Sequence, residues 1–250
     1  FFFKQKTAYE ILTCDWSSDV CSSDLRGVEQ PFLFAAPDSP KAGVILFIGG
    51  DGIFSNNKKN FLARAFDDFV DSGLMVALVD APSDKDKLLP KFRISKNHAN
   101  DMIAVVKYMN NVADVPVWVV GTSLGSLSAA SVAIKKQKRI AGAILTSSVT
   151  RSDDEHKITK QFPDGVLGLN LGKLKKPVLV LVHQDDACSV SPPEDAEKIK
   201  ASLSSSSRVE VISLKGGEPP KSKACQAMSQ HGFLGVEREA VEKMAEFILK

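Results

Sequence analysis

Val117-Trp-Val-Val-Gly-Thr-Ser123-Leu-Gly-Ser-Leu127 joins a run of apolar residues to a stretch, residues 127–136, composed for a helix. Apolar residues without alternation read as a strand buried on both faces. Between the two, Gly121-Thr-Ser123-Leu-Gly125 fits G-x-S-x-G, a strand-to-helix bend so sharp that only small residues fit two positions either side of the serine. The spacing predicts a Ser123 hydroxyl standing clear at the carboxyl edge of a sheet, with the Leu124 amide aimed at any oxyanion formed there. A serine so placed is a nucleophile only beside a base. Without one the motif is a glycine-flanked helix start.

In motifs of this kind the partners follow in the order serine, carboxylate, histidine. A second apolar run, Pro177-Val-Leu-Val-Leu-Val182, ends in His183-Gln-Asp185-Asp186-Ala-Cys188, which sets two carboxylates just past a strand's carboxyl end. Of the four histidines, only His231 lies after a further strand, residues 208–214, and before a final helix, residues 236–249. His231 is therefore the candidate base. His98 opens a predicted helix, His156 lies in a charged loop and His183 closes a strand, so those three read as structural or solvated.

The rest of the chain alternates. Strands are predicted over 31–36, 43–48, 75–79, 117–120, 141–146, 178–183 and 209–214, and helices near 60–72, 97–111, 124–136, 193–202 and 236–249. The pattern implies an α/β fold, a mostly parallel sheet covered by helices on both faces, with function gathered at the strands' carboxyl ends. Residues 151–176 have little pattern beyond a turn at Phe162-Pro-Asp-Gly165. They read equally as a small flap over the site or as a plain surface loop.

Charge narrows the partners. The 32 basic and 30 acidic residues are interspersed and give a net charge of +2, which excludes a nucleic-acid stripe. The densest basic stretch, residues 85–96, reads as a solvated loop. No apolar run approaches a transmembrane length. Neither C-x-x-C nor H-E-x-x-H occurs, and Gly49-Gly-Asp-Gly52 lacks the spacing of a dinucleotide or phosphate loop, so no metal or cofactor is expected. A small molecule is the expected partner.

Taken together, Gly121–Gly125, the acid loop and His231 resemble the α/β-hydrolase superfamily over about residues 30–250, in particular its small, lid-poor, dienelactone-hydrolase-like and esterase-like members. The carboxylate of that family precedes a Val-Pro-like pair, and here Val190-Ser-Pro192 follows, which makes Asp186 the better match and leaves Asp185 as the alternative. The family's other oxyanion amide comes from the loop after an earlier strand; here Val44-Ile-Leu-Phe-Ile48 runs into Gly49-Gly50-Asp51-Gly52, with Ile48 where a histidine is usual. Gly50 or Asp51 would carry that amide. The resemblance implies cleavage of an ester, thioester or amide, with short, medium or small cyclic acyl groups suited to a site without a lid. The alternative is the same fold kept as a binding module without turnover.

Residues 1–25 have another explanation. Phe1-Phe-Phe-Lys-Gln-Lys-Thr-Ala-Tyr-Glu-Ile11 and Asp15-Trp-Ser-Ser-Asp-Val-Cys-Ser-Ser-Asp-Leu25 resemble the conceptual translation of a short-read sequencing adapter, with Leu12 and Thr13 where its index would fall. Set aside as a scar, the segment leaves one domain over 26–250, whose own first residues, any signal peptide among them, it would have replaced. With Cys14 and Cys21 assigned to the adapter, Cys188 and Cys225 remain, one two residues past Asp186 and the other six before His231. A formed triad brings both loops to one sheet edge, so a disulfide is expected, and with it an exported, periplasmic or secreted protein; two free thiols would point to the cytoplasm.

Overall fold

The computed structural model describes residues 10–13, 26–54 and 58–250. Cys14, Cys21 and most of the segment read as adapter lie outside the described residues. The strands are β1 (Glu10–Thr13), β2 (Pro31–Ala35), β3 (Ala42–Phe47), β4 (Leu74–Val79), β5 (Val117–Thr122), β6 (Ala143–Thr146), β7 (Val178–His183) and β8 (Val209–Leu214). They form one sheet in the order β1-β2-β4-β3-β5-β6-β7-β8. The pairs β1/β2 and β2/β4 are antiparallel and the rest parallel, so β3 to β8 all point one way. Because Phe47 pairs with Gly121 and Thr122 with Thr146, the carboxyl ends of β3, β5 and β6 finish side by side.

The helices are α1 (Phe61–Arg64), α2 (Phe66–Asp71), α3 (Pro90–Arg93), α4 (Lys96–Val112), α5 (Gly125–Lys135), α6 (Ala196–Ser202) and α7 (Glu237–Leu249). Every residue of β3 is buried, and its side chains alternate between two cores: Ile45 and Phe47 pack with α4 and α5, Val44 and Leu46 with α1, α2 and α7. That two-sided burial is why the strands lack an exposed polar face. The α7 stripe of Ala240, Val241, Met244, Ala245 and Ile248 sits at helical spacing. It closes the second core, where Phe247 meets Trp118 edge to face.

Three expectations change. The helix expected over 60–72 divides at Ala65 into α1 and α2. Residues 85–96 are no simple solvated loop, because Pro90 opens the single turn of α3 and Arg93 is wholly buried. One turn is too short to show a period. Residues 151–176 form three 3-10 turns, at Lys157–Gln161, Gly165–Gly168 and Leu171–Lys173, which bury Thr159, Val166 and Leu171 in the body of the protein. They line no part of the cavity described below, so they are not a flap over it.

Candidate active site

Ser123 follows the last residue of β5 and has φ +55°, a left-handed conformation that is costly for a residue with a Cβ. The neighbouring glycines make it possible. A Cβ on Gly121 would lie 2.3 Å from the Gly125 carbonyl oxygen, and one on Gly125 would lie 2.0 Å from the Phe47 carbonyl oxygen. The Ser123 amide donates to the Thr146 carbonyl at 3.0 Å, which ties the bend to β6. Ser123 borders a cavity of about 530 Å³, whose wall also includes Gly49, Gly50, Phe61, Cys225, Met228 and His231.

Two amides border the serine. Leu124 N–H, at the head of α5, and Gly50 N–H donate no hydrogen bond among the described residues. Gly49 comes so close that a Cβ there would lie 2.8 Å from the Ser123 Cβ. Of the two positions considered for the second amide, Gly50 lines the cavity and Asp51 does not. Asp51 is engaged elsewhere, its carbonyl accepting from Leu88 N–H at 2.6 Å and its Oδ1 from Ile53 N–H at 3.3 Å.

On the other side, Asp186 is buried and its carboxylate is fully engaged. Oδ1 accepts the Cys188 amide at 2.9 Å and Oδ2 accepts His231 Nδ1–H at 2.9 Å. Asp185 is exposed and makes no contact with His231; its amide donates to His183 Nδ1 at 3.2 Å. Geometry thus joins Asp186, not Asp185, to the histidine. With Nδ1 engaged by the carboxylate, Nε2 is the ring nitrogen left for other chemistry. That Nε2 is buried and has no partner among the described residues, so it makes no hydrogen bond to Ser123 although both residues border the same cavity.

Further residues hold the histidine, and the sequence reading passed over them. Ser191 Oγ lies 3.0 Å from His231 Nδ1; it sits inside the Val190-Ser-Pro192 stretch that was read only for its position after the acid. Arg64 of α1 donates to the carbonyls of Ala227 at 3.0 Å and Gly232 at 2.8 Å, bracketing His231, and pairs with Glu237. Nothing in its local pattern signals that role. Gly232 must lack a side chain, since a Cβ would lie 1.9 Å from the Ala227 carbonyl oxygen. A disulfide joins Cys188 to Cys225 with the Cα atoms 4.5 Å apart and links the acid loop to the histidine loop. The Asp186, Cys188 and His231 donor atoms lie within 4.8 Å of one another, but the sulfur is bonded to Cys225 and the other two engage each other, which leaves a cation no open ligand set.

The other histidines are structural. His183 is buried with Nε2 3.1 Å from the Gly216 carbonyl, His156 pairs with Asp153 at 2.9 Å, and His98 packs against Phe47 and Phe92. Burial, with the nearby Arg93 and Arg26 charges, pushes His98 down to about 3. Backbone strain collects near the site: the non-glycine residues at positive φ among those described are Ser123, Ser147 at the end of β6 and Phe233 two residues past His231.

No family model and no curated relative matches the chain. Solved structures do. A predicted CIB-like hydrolase from Thermoplasma acidophilum is 16% identical with a TM-score of 0.61, covering 97% of this chain and 98% of its own. Est1E from Butyrivibrio proteoclasticus, solved with ferulic acid, is 16% identical at TM-score 0.61 over 96% of this chain and 100% of its own. EstE1, a thermophilic carboxylesterase cloned from a metagenomic library, is 18% identical at TM-score 0.64 over 97% and 88%. At such identities the likeness is one of fold: this chain has the α/β-hydrolase fold.

Proposed function

We propose that this hydrolase-fold chain is a serine hydrolase that cleaves a carboxylic ester, thioester or amide through Ser123, His231 and Asp186. The observation that carries the reading is the buried His231, bound through Nδ1 to Asp186 and with Nε2 unpartnered among the described residues, in the wall of the same cavity that Ser123 borders on its elbow. Ser123 Oγ attacks the acyl carbon as His231 Nε2 takes its proton, and the carbonyl oxygen becomes an oxyanion met by the Leu124 and Gly50 amides. Collapse expels the alcohol, thiol or amine with that proton. Water, deprotonated by the same nitrogen, then attacks the acyl-enzyme, and the proton passes from Nε2 to Ser123 Oγ as the acyl–Oγ bond breaks and the acid leaves. Asp186 orients the ring and stabilises the imidazolium.

The esterases among the structures of like fold support a carboxylic ester as the substrate. A cavity of about 530 Å³ suits a short, medium or small cyclic acyl group better than a long chain. Among the described residues its wall includes Lys59 and Lys221 and no acidic residue, which favours neutral or anionic substrates over cationic ones. The native domain is 26–250, with 1–25 an adapter-derived segment of which Glu10–Thr13 adds an edge strand to the sheet, and the disulfide supports an exported location.

The missing hydrogen bond between His231 and Ser123 is what favours the other reading, a binding module without turnover. Catalytic contacts are commonly long without substrate. Covalent labelling by a fluorophosphonate separates the two, since it requires an activated serine: labelling of the wild type and not of Ser123→Ala is expected, and an unlabelled, folded wild type would leave the binding module.

A further inference from the structure

We propose that Arg93 is a positioning residue that locks the two oxyanion amides into one rigid unit. The inference rests on the hydrolase reading above. Arg93 is 0% exposed and lines no part of the cavity. Its planar fork reaches three places at once: Nε donates to the Leu88 carbonyl at 2.8 Å, Nη1 to Ser128 Oγ at 3.2 Å and Nη2 to the Gly50 carbonyl at 3.2 Å. Ser128 belongs to α5, the helix that begins immediately after Leu124. One guanidinium therefore ties the loop that presents the Gly50 amide to the helix whose head presents the Leu124 amide.

The loop needs such a tie. Gly50 has φ +58° and no side chain, so its peptide planes turn at little cost unless something grips them. Arg93 grips the carbonyl of the peptide that follows Gly50, and the strap from Leu88 N–H to the Asp51 carbonyl holds the one after it. Gly52 N–H, donating to the Gly49 carbonyl at 3.1 Å, closes the turn over the peptide that carries the Gly50 amide, so that the guanidinium fixes the frame in which that amide sits. Gly52 is shaped around the same group, because a Cβ there would lie 2.8 Å from Arg93 Nη2. No carboxylate accepts from Arg93 among the described residues, and burial pushes it down to about 9, partly offset by the charge of Asp51. It stays charged at neutral pH. A buried cation without an ionic partner is an expensive way to fill a core, but it is well placed to favour negative charge developing above Gly50.

The test uses the full chain with p-nitrophenyl acetate and a short trifluoromethyl ketone, which adds to the serine and leaves an oxyanion in the hole. Arg93→Met removes charge and donors at similar length; Arg93→Lys keeps a charge whose single ammonium cannot hold three separated acceptors. In both, kcat should fall at least about tenfold, inhibition by the ketone should weaken by a similar factor, and KM should stay within about threefold. Values of kcat and inhibition within about twofold of wild type in a folded variant overturn the proposal, as does a rise in KM alone or a lower unfolding midpoint with chemistry unchanged. If Arg93→Met does not fold, Arg93→Lys decides by the same criteria. Should the wild type fail to label with a fluorophosphonate, the hydrolase reading falls; should it label and Arg93 variants turn over normally, only the role of Arg93 falls.

Discussion

Ser123 stands between β5 and α5, elements adjacent in sequence and both sunk in the core, whereas His231 hangs on residues 215–236, which contain nothing more regular than the 3-10 turn Gln230–Gly232. The serine side needs only local sterics: two glycines, a strand and a helix. The histidine side is closed by partners far off in sequence, namely Asp186 at 45 residues' separation, Arg64 at 168 from Gly232, and Cys188 at 37 from Cys225. The difference teaches that, in the proposed reaction, the nucleophile would come with the fold, while the base must be delivered and held.

Breaking the serine side by chemistry alone should have the largest effect. Ser123→Ala is expected to fold normally and lose p-nitrophenyl acetate hydrolysis by about 10⁴ to 10⁶; more than a tenth of the wild-type rate would remove Ser123 from its role. On the histidine side, Asp186→Asn should cost about 10³ to 10⁴ in kcat by upsetting the imidazole tautomer, and Asp185→Asn, at an exposed residue, should stay within about twofold. A larger loss at position 185 in the paired assay would reverse the choice of acid.

Removing the disulfide tests whether the base needs holding. Closing a loop of 37 residues is worth roughly 4 kcal/mol in the chain-entropy model, so Cys188→Ala with Cys225→Ala should lower the unfolding midpoint and reduce kcat before the fold is lost. Equal midpoints and equal rates with and without reductant would show that residues 215–236 hold themselves. Mass measurement after alkylation of the unreduced, unfolded protein checks the bond itself: no label is expected on either cysteine.

The smallest effect on activity concerns His98, packed against Phe47 and Phe92. The folded chain refuses a proton at His98 until about pH 3, while the unfolded chain takes it below about 6.5, so stability falls as pH drops through that window, by at most about 1.4 kcal/mol per unit. His98→Phe should flatten the dependence of unfolding free energy on pH between 6 and 4 in urea titrations. An unchanged slope would mean that other groups set it.

Much of this was legible in advance because apolar runs announce buried strands. Seven strands lie within two residues of their expected bounds, and the elbow, the acid loop and the histidine loop were each found from what precedes and follows them. Other features depend on where side chains end up in space. Two adjacent aspartates differ only in which one the turn after β7 faces inward, and Gly50 differs from Asp51 in the same way. Arg93 looked solvated because a basic stretch says nothing of a guanidinium drawn under a neighbouring loop. Ser191 and Arg64 act on His231 across 40 and 168 or fewer residues of intervening chain, beyond any local pattern. The cavity wall taken up by Ser222, Cys225 and Met228 belongs to the histidine segment rather than to residues 151–176, where a flap was considered.

At the far edge of the sheet, β1 pairs with β2 from Glu10 opposite Phe34 to Thr13 opposite Pro31. Ladder pairing of this kind runs through main-chain groups and asks little of the residues involved. Four residues of whatever origin thus act as a stopper on a hydrogen-bonding rim. Cutting the chain back to residue 26 would bare β2 along that rim, and an uncovered strand is a template for a second molecule. A trimmed preparation meant to clean up the N-terminus would therefore trade a doubtful tail for a tendency to self-associate, and a short charged or proline-bearing extension ahead of β2 would be the better way to shorten it.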